Sequence, residues 1–133
     1  MAKVFFSYST EDRNFAKALA HSLKELGHEA WIAEENIQWG DSFIDRTQEA
    51  LQSAAAVIIL LSEHSCNSKW IAFELGAATA QGKKVFPVVL SEDPDIVPFQ
   101  LQKFFYLRAS NLDPIEVASR IDKALQSGTN PSV

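Results

Sequence analysis

The chain has 133 residues, 47% apolar and 22% charged, with five Gly, five Pro and one Cys, the composition of one compact domain rather than a tail or a repeat array. One Cys closes no internal disulfide and no Cys/His set has zinc-site spacing, so apolar burial must hold the fold, in a reducing compartment. A net charge of -5 leaves no basic surplus for a phosphate backbone, which argues against nucleic-acid binding.

The longest apolar run, Ala54 to Leu61, falls far short of the ~20 residues that cross a bilayer. Met1-Ala2-Lys3 leads straight into Val4-Phe5-Phe6 without the cleavage site of a secretory signal, so the expected location is cytoplasmic, with no membrane partner. Lys3 to Tyr8 reads as a first strand, and Ser9-Thr10-Glu11-Asp12 as a helix start with a hydroxyl cap and first-turn carboxylates. Phe15, Leu19, Leu23 and Leu26 share one face of the helix that follows, and Gly27 stops it. Glu29 to Ala33 is a second strand. A polar loop, Glu34 to Asp41, carries Trp39-Gly40 and leads to a helix with Phe43, Thr47 and Leu51 on one face.

Ala56 to Leu61 is a continuous Val/Ile/Leu run, the pattern of a central strand covered on both faces. The irregular stretch Ser62 to Lys69 precedes a predicted helix over Trp70 to Gln81, with Ile71, Leu75 and Ala78 on one face and Gly82 at its end. Val85 to Leu90 is a fourth strand, Ser91 to Pro98 a loop, Phe104 to Leu107 a weak fifth strand and Asp113 to Leu125 a final helix. Residues 1–127 form the expected domain and 128–133 a disordered tail. Alternating strands and helices predict an α/β fold, a flavodoxin-like five-stranded parallel sheet of order 2-1-3-4-5 with helices on both faces. Ligands of such sheets bind beyond the carboxyl ends of the strands, which points to Ser7-Tyr8-Ser9, to Glu34–Asp41 and to Ser62–Trp70.

The first strand ends in Ser-Tyr-Ser, which lacks the glycine-rich turn of a dinucleotide fold, and no Gly-Lys-Ser/Thr loop is present for nucleoside triphosphates. A phosphoacceptor receiver would need an acidic pair after strand one and an Asp after strand three; the chain has Ser7-Tyr8-Ser9 and Ser62-Glu63. The carboxylate that stands out is Glu74, one helical turn after Trp70 and flanking the apolar stripe. Spacing alone is equally compatible with a surface Glu paired to a Lys. His64 and Cys66 lack an orienting third group, and Glu92-Asp93-Asp95 reads as a solvated loop, so no metal site is expected.

Val4-Phe5-Phe6-Ser7-Tyr8-Ser9, Leu26-Gly27, the Trp39-Gly40 loop, the Ala56–Ser62 strand, Ser68-Lys69-Trp70-Ile71-Ala72-Phe73-Glu74-Leu75 and Val85-Phe86-Pro87-Val88 together resemble a Toll/interleukin-1 receptor (TIR) domain. The resemblance runs in the family's order from about Lys3 to Leu125. TIR domains are either self-associating signalling modules or enzymes that cleave the nicotinamide-ribose bond of NAD+, and the resemblance places the catalytic glutamate of the enzymes at Glu74. It also implies Trp70 as the wall beside Glu74, Tyr8 and Trp39 as aromatic faces for the substrate, and Ser7, Ser9, Arg13 and Gly40 at the binding rim. Structural readings stand beside these: Tyr8 in the core, Ser9 as a cap, Arg13 as a solvated charge, with the structural reading favoured for Ser9 and Arg13 and a ligand or partner role for Trp39.

Signalling members commonly carry Arg-Asp and Pro-Gly in the loop after strand two, whereas this chain has Glu34-Glu35 and Trp39-Gly40 without proline. The microbial, NAD-cleaving type is therefore favoured, giving nicotinamide plus ADP-ribose or a cyclic isomer, with NAD+ as substrate and no cofactor, in antiphage or stress signalling. The resemblance implies TIR–TIR self-association, filamentous by open head-to-tail contacts, and an upstream sensor or downstream effector protein as partner. A non-catalytic TIR interaction module is the alternative, and a nucleoside deoxyribosyltransferase, which needs a covalent sugar intermediate, is a third reading.

Overall fold

A computed structural model of the protein describes residues 2–32, 39–63, 82–93, 96 and 106–127. The described elements run in the order β1 (Lys3–Ser7), α1 (Arg13–Glu25), β2 (Glu29–Trp31), α2 (Phe43–Ser53), β3 (Ala56–Leu61), β4 (Lys84–Val89), β5 (Leu107–Arg108) and α3 (Pro114–Ser127). The strands form one sheet of order β2-β1-β3-β4-β5 in which every pairing is parallel, the predicted flavodoxin-like arrangement. The predicted helix over Trp70–Gln81, most of the Glu34–Asp41 loop and the 128–133 tail lie outside the described residues.

All six residues of β3 are buried, and the period of two splits them between layers. Ala56, Ile58 and Leu60 join Val4 and Phe6 against Leu19 and Leu23 of α1 and Val117 and Ile121 of α3. Val57, Ile59 and Leu61 join Phe5 against Ala50 and Leu51 of α2. The sheet is thus the shared middle layer of two apolar cores. Among the described residues no helix is long and apolar enough to cross a membrane.

The buried stripe of α1 is Ala16, Leu19, Ala20 and Leu23, rotated from the expected face; Phe15 is only partly buried and Leu26 is 48% exposed. Leu26 lies past the last helical residue because the chain turns there. Gly27 takes φ +95° and donates its N–H to Lys24 O, and His28 donates to Leu23 O, the paired bonds of a left-handed helix stop. Helix α2 starts at Ser42, whose hydroxyl accepts the Asp45 N–H at 3.3 Å. Helix α3 starts after Asp113, whose Oδ1 accepts the Glu116 N–H at 2.8 Å, with Pro114 in the first turn where its missing donor costs nothing. Strand β2 ends two residues earlier than expected, and β5 begins at Leu107, where the sequence pattern had it ending. Its two-residue ladder pairs Val88 with Leu107 and Val89 with Arg108, and Phe104 and Phe105 of the expected strand lie outside the described residues.

At the amino edge of the sheet, His28 is buried. Its Nδ1 accepts the Ala2 N–H at 3.0 Å, which leaves Nε2 to donate to Asp122 Oδ1 of α3 at 2.7 Å.

Candidate functional site at the carboxyl ends of the strands

In a sheet of this order the chain leaves β1 and β3 in opposite directions, and the crevice between their carboxyl ends is the place for a ligand. β1 delivers Ser7 there, paired in register with Ile59. Ser7 shares the α2 side of the sheet with Phe5, since the two are separated by one strand period. It is 3% exposed, and its Oγ has no hydrogen-bond partner among the described residues.

Thr47, on α2, is 1% exposed and its Oγ1 likewise lacks a partner among the described residues. The chain passes from the end of α2 at Ser53 directly into β3 at Ala56, opposite Val4, so α2 runs antiparallel to the strands. Ala50 and Leu51 pack in the same apolar cluster as Phe5. Thr47 lies about one turn before Ala50 and Leu51 on α2, and Ser7 two residues beyond Phe5 on β1, so both hydroxyls lie between α2 and the sheet toward the carboxyl ends of the strands.

Tyr8 turns to the opposite layer, where it packs against the core beneath α1 and α3. Ser9 does not cap the 3-10 turn Thr10–Asp12 through its side chain; its Oγ donates to Asp12 Oδ2 at 3.0 Å instead. The same oxygen accepts Ser62 Oγ, from just beyond β3, at 2.6 Å. Beside it, Glu63 Oε1 accepts Ser91 Oγ, from just beyond β4, and Ser91 Oγ accepts the Asp93 N–H at 3.0 Å. A belt of hydroxyls and carboxylates thus crosses the ends of three neighbouring strands. Sequence reasoning treated Asp12 as a first-turn charge; its only signal was the spacing of three from Ser9, and nothing in the sequence pointed across fifty residues to Ser62.

Arg13 is exposed at the first position of α1. Trp39 is fully exposed, 104% by the reference scale, in a turn that Gly40 closes at φ +93°, a backbone conformation that side chains other than glycine's strain to adopt. The structure therefore gathers Ser7, Ser9 and Arg13 at the end of β1, sets Tyr8 against the core, and leaves Trp39 and Gly40 at the surface. Trp70 and Glu74 lie outside the described residues. Among the described residues no group of three His, Cys, Asp or Glu could hold a metal ion.

These features define a doubly wound parallel α/β domain whose strand-one turn presents hydroxyls, in place of the glycine-rich turn that cradles pyrophosphate. The sequence matches the TIR domain family over residues 4–125, and the chain belongs to that family. It is 34% identical over 73 residues to the NAD(+) hydrolase PdTIR of Paracoccus denitrificans, a match covering 54% of this chain and 24% of that protein. It is 32% identical over 77 residues to the probable 2' cyclic ADP-D-ribose synthase TcpB of Brucella abortus, covering 57% and 31%. The matches thus span about a quarter to a third of the length of these relatives. Among solved structures, the TIR domain of the Toll-related receptor TRR-2 from Hydra magnipapillata superposes with a TM-score of 0.74 at 18% identity, covering 96% of this chain and 98% of that one, a likeness of fold.

Proposed function

We propose that this domain cleaves the nicotinamide-ribose bond of NAD+, with Glu74 as the catalytic carboxylate. The observation that supports this reading is the conjunction of TIR membership, relatives named as an NAD(+) hydrolase and a probable cyclic ADP-ribose synthase, and a Trp70-x-x-x-Glu74 element that starts nine residues after the end of β3 in the sequence. As the C1'–N bond breaks, its electron pair passes to the pyridinium nitrogen and nicotinamide leaves neutral, so no acid is needed to protonate it. The ribose acquires oxocarbenium character, and a preplaced carboxylate favours that charge more than it favours the ground-state sugar. Water adding at C1', with loss of a proton, gives ADP-ribose; a distal group of the same molecule gives a cyclic isomer. Which of the two forms depends on what the site holds against C1'.

On this reading Trp70 walls the site and Trp39 offers an aromatic face, while Ser7, Tyr8, Ser9, Arg13 and Gly40 line the rim. The setting that fits is cytoplasmic antiphage or stress signalling in which an upstream sensor or downstream effector participates. The test is incubation of concentrated protein with NAD+ and chromatography of the products, beside Glu74→Gln. Nicotinamide release by the wild type and its loss in the variant support the reading; equal turnover in both refutes the assignment of Glu74, and no release by either refutes the activity.

The exposed Trp39 favours a second reading, a non-catalytic module that docks through the loop after β2. Head-to-tail contacts of that loop with another copy would build open assemblies, and the two readings are compatible if assembly completes the site. Light scattering of wild type and Trp39→Ala against concentration tests it.

A further inference from the structure

We propose that Asp12 is a positioning residue: it brackets the exits of β1 and β3 and so sets where the segment carrying Trp70 and Glu74 begins. This inference rests on the reading of Glu74 given above for its catalytic consequence, and on the structure for its geometry. Asp12 Oδ2 accepts two hydroxyl protons, from Ser9 at 3.0 Å and from Ser62 at 2.6 Å. The backbone holds the carboxylate in place from its own side, since the Asp12 N–H donates to Ser9 O at 2.9 Å. Ser9 lies two residues beyond β1, and Ser62 is the first residue beyond β3.

The two strands already pair as far as Ser7 with Ile59, and the Asp12 bridge continues their connection past the last main-chain bonds of the ladder. Ser62 is 4% exposed, so its hydroxyl has given up water for this bond. Both donors are neutral hydroxyls and the acceptor is an ionised carboxylate, the stronger kind of hydrogen bond. One residue further, Glu63 accepts Ser91 Oγ and ties the same exit to β4. The β3 exit is therefore held from both neighbouring strands. Holding that exit fixes the point from which the chain continues toward Glu74 in the sequence.

The geometry grades the variants. Asp12→Ala severs both bonds, Ser62→Ala only the β3 side, and Asp12→Asn keeps an oxygen acceptor but loses the charge. Because displacement of a reacting group by about 1 Å costs up to ~100-fold, loss of the bracket should lower kcat by about tenfold in Asp12→Ala and Ser62→Ala, with KM changed by less than about twofold. Asp12→Asn should recover kcat to within about threefold of the wild type. Each rate is measured well below the melting temperature of the variant concerned, so that loss of folded protein does not masquerade as loss of kcat.

Hydrogen exchange of the amides from Ser62 onward supplies a readout that does not depend on activity, and should accelerate in Asp12→Ala and Ser62→Ala. Unchanged exchange there overturns the proposal. Faster exchange with kcat within twofold of the wild type overturns it too, leaving Asp12 a purely structural bracket. If the wild type itself releases no nicotinamide, the NAD+ reading fails while faster exchange in the variants still upholds the placement of the β3 exit by Asp12.

Discussion

The two ends of the strands differ in how fully the described residues satisfy their buried polar groups. At the amino edge, His28 uses both ring nitrogens, on the Ala2 N–H and on Asp122, with side-chain exposures of 5% for the His and 16% for the Asp. Lys83 Nζ lies at the end of α2 and donates to Gln52 O at 2.9 Å and to Ala54 O, closing two carbonyls that the helix leaves open. At the carboxyl edge, Ser7 and Thr47 bury hydroxyls without partners among the described residues, and Trp39 stands fully in solvent. Buried polar groups that serve only the fold are almost always satisfied by the fold. Ser7 and Thr47, set beside the satisfied Asp12 and Glu63 belt, are therefore the hydroxyls at which to test a ligand role.

The comparison breaks first if variants at the two edges fail to separate stability from turnover. Glu74→Gln should lower nicotinamide release by about a thousandfold, the scale of losing a preorganised electrostatic partner of the transition state. Its urea midpoint should stay at the wild-type value, because a neutral amide of the same shape replaces the carboxylate. His28→Ala should do the reverse. It removes one of the two side-chain partners of Asp122, leaving Gln126 Nε2 on Oδ2 at 3.0 Å, and orphans the Ala2 N–H, costing about 2 kcal/mol in urea unfolding, while the turnover of the folded protein is unchanged. A His28→Ala protein of wild-type stability would remove the amino edge from the comparison altogether.

Much of this architecture could be read from the sequence because β3 is apolar at every position and the helices repeat at helical spacing. Those patterns report burial directly, and burial on both faces of a short strand leaves few arrangements besides a parallel sheet. Where the reading slipped, pairing rather than composition decided. The fifth strand runs to Arg108, one residue past the expected end at Leu107, because Val89 finds its partner there. Leu26 fitted the apolar spacing of α1 and lies beyond its end because Gly27 turns the chain. His28 and Asp122 are 94 residues apart, and Asp12 and Ser62 are 50 apart; a single sequence holds no signal for a hydrogen bond across such a separation. Of the candidate site, the strand-one Ser-Tyr-Ser and the exposed Trp39 were visible as residues, whereas the bracket through Asp12 emerges only from coordinates.

Ser7→Ala sharpens the comparison at smaller amplitude. Removing a buried hydroxyl that bonds nothing in the fold should leave stability within about 0.5 kcal/mol of the wild type or raise it slightly. If Ser7 meets the substrate, KM for NAD+ should rise about fivefold to tenfold, the worth of one neutral hydrogen bond. A loss of stability with unaltered KM would move Ser7 into the same class as His28.

The smallest effect is expected at Thr47. Replacing it by Val puts a methyl where the buried Oγ1 now sits, with almost no change of shape, so the ordinary cost of deleting a hydrogen bond does not arise. What changes is desolvation: a hydroxyl held away from water without a partner costs about 1 kcal/mol or more, and the methyl removes that cost. Thr47→Val should therefore raise stability by up to about 1 kcal/mol, read as a higher urea midpoint with an unchanged slope. Because Thr47 and Ser7 lie on the same side of the sheet toward the same ends of the strands, the two variants together discriminate further. If both hydroxyls serve the fold through a shared water, each single variant destabilises and the double variant costs less than their sum. If they are kept for a ligand, neither destabilises, and the substrate's KM records both.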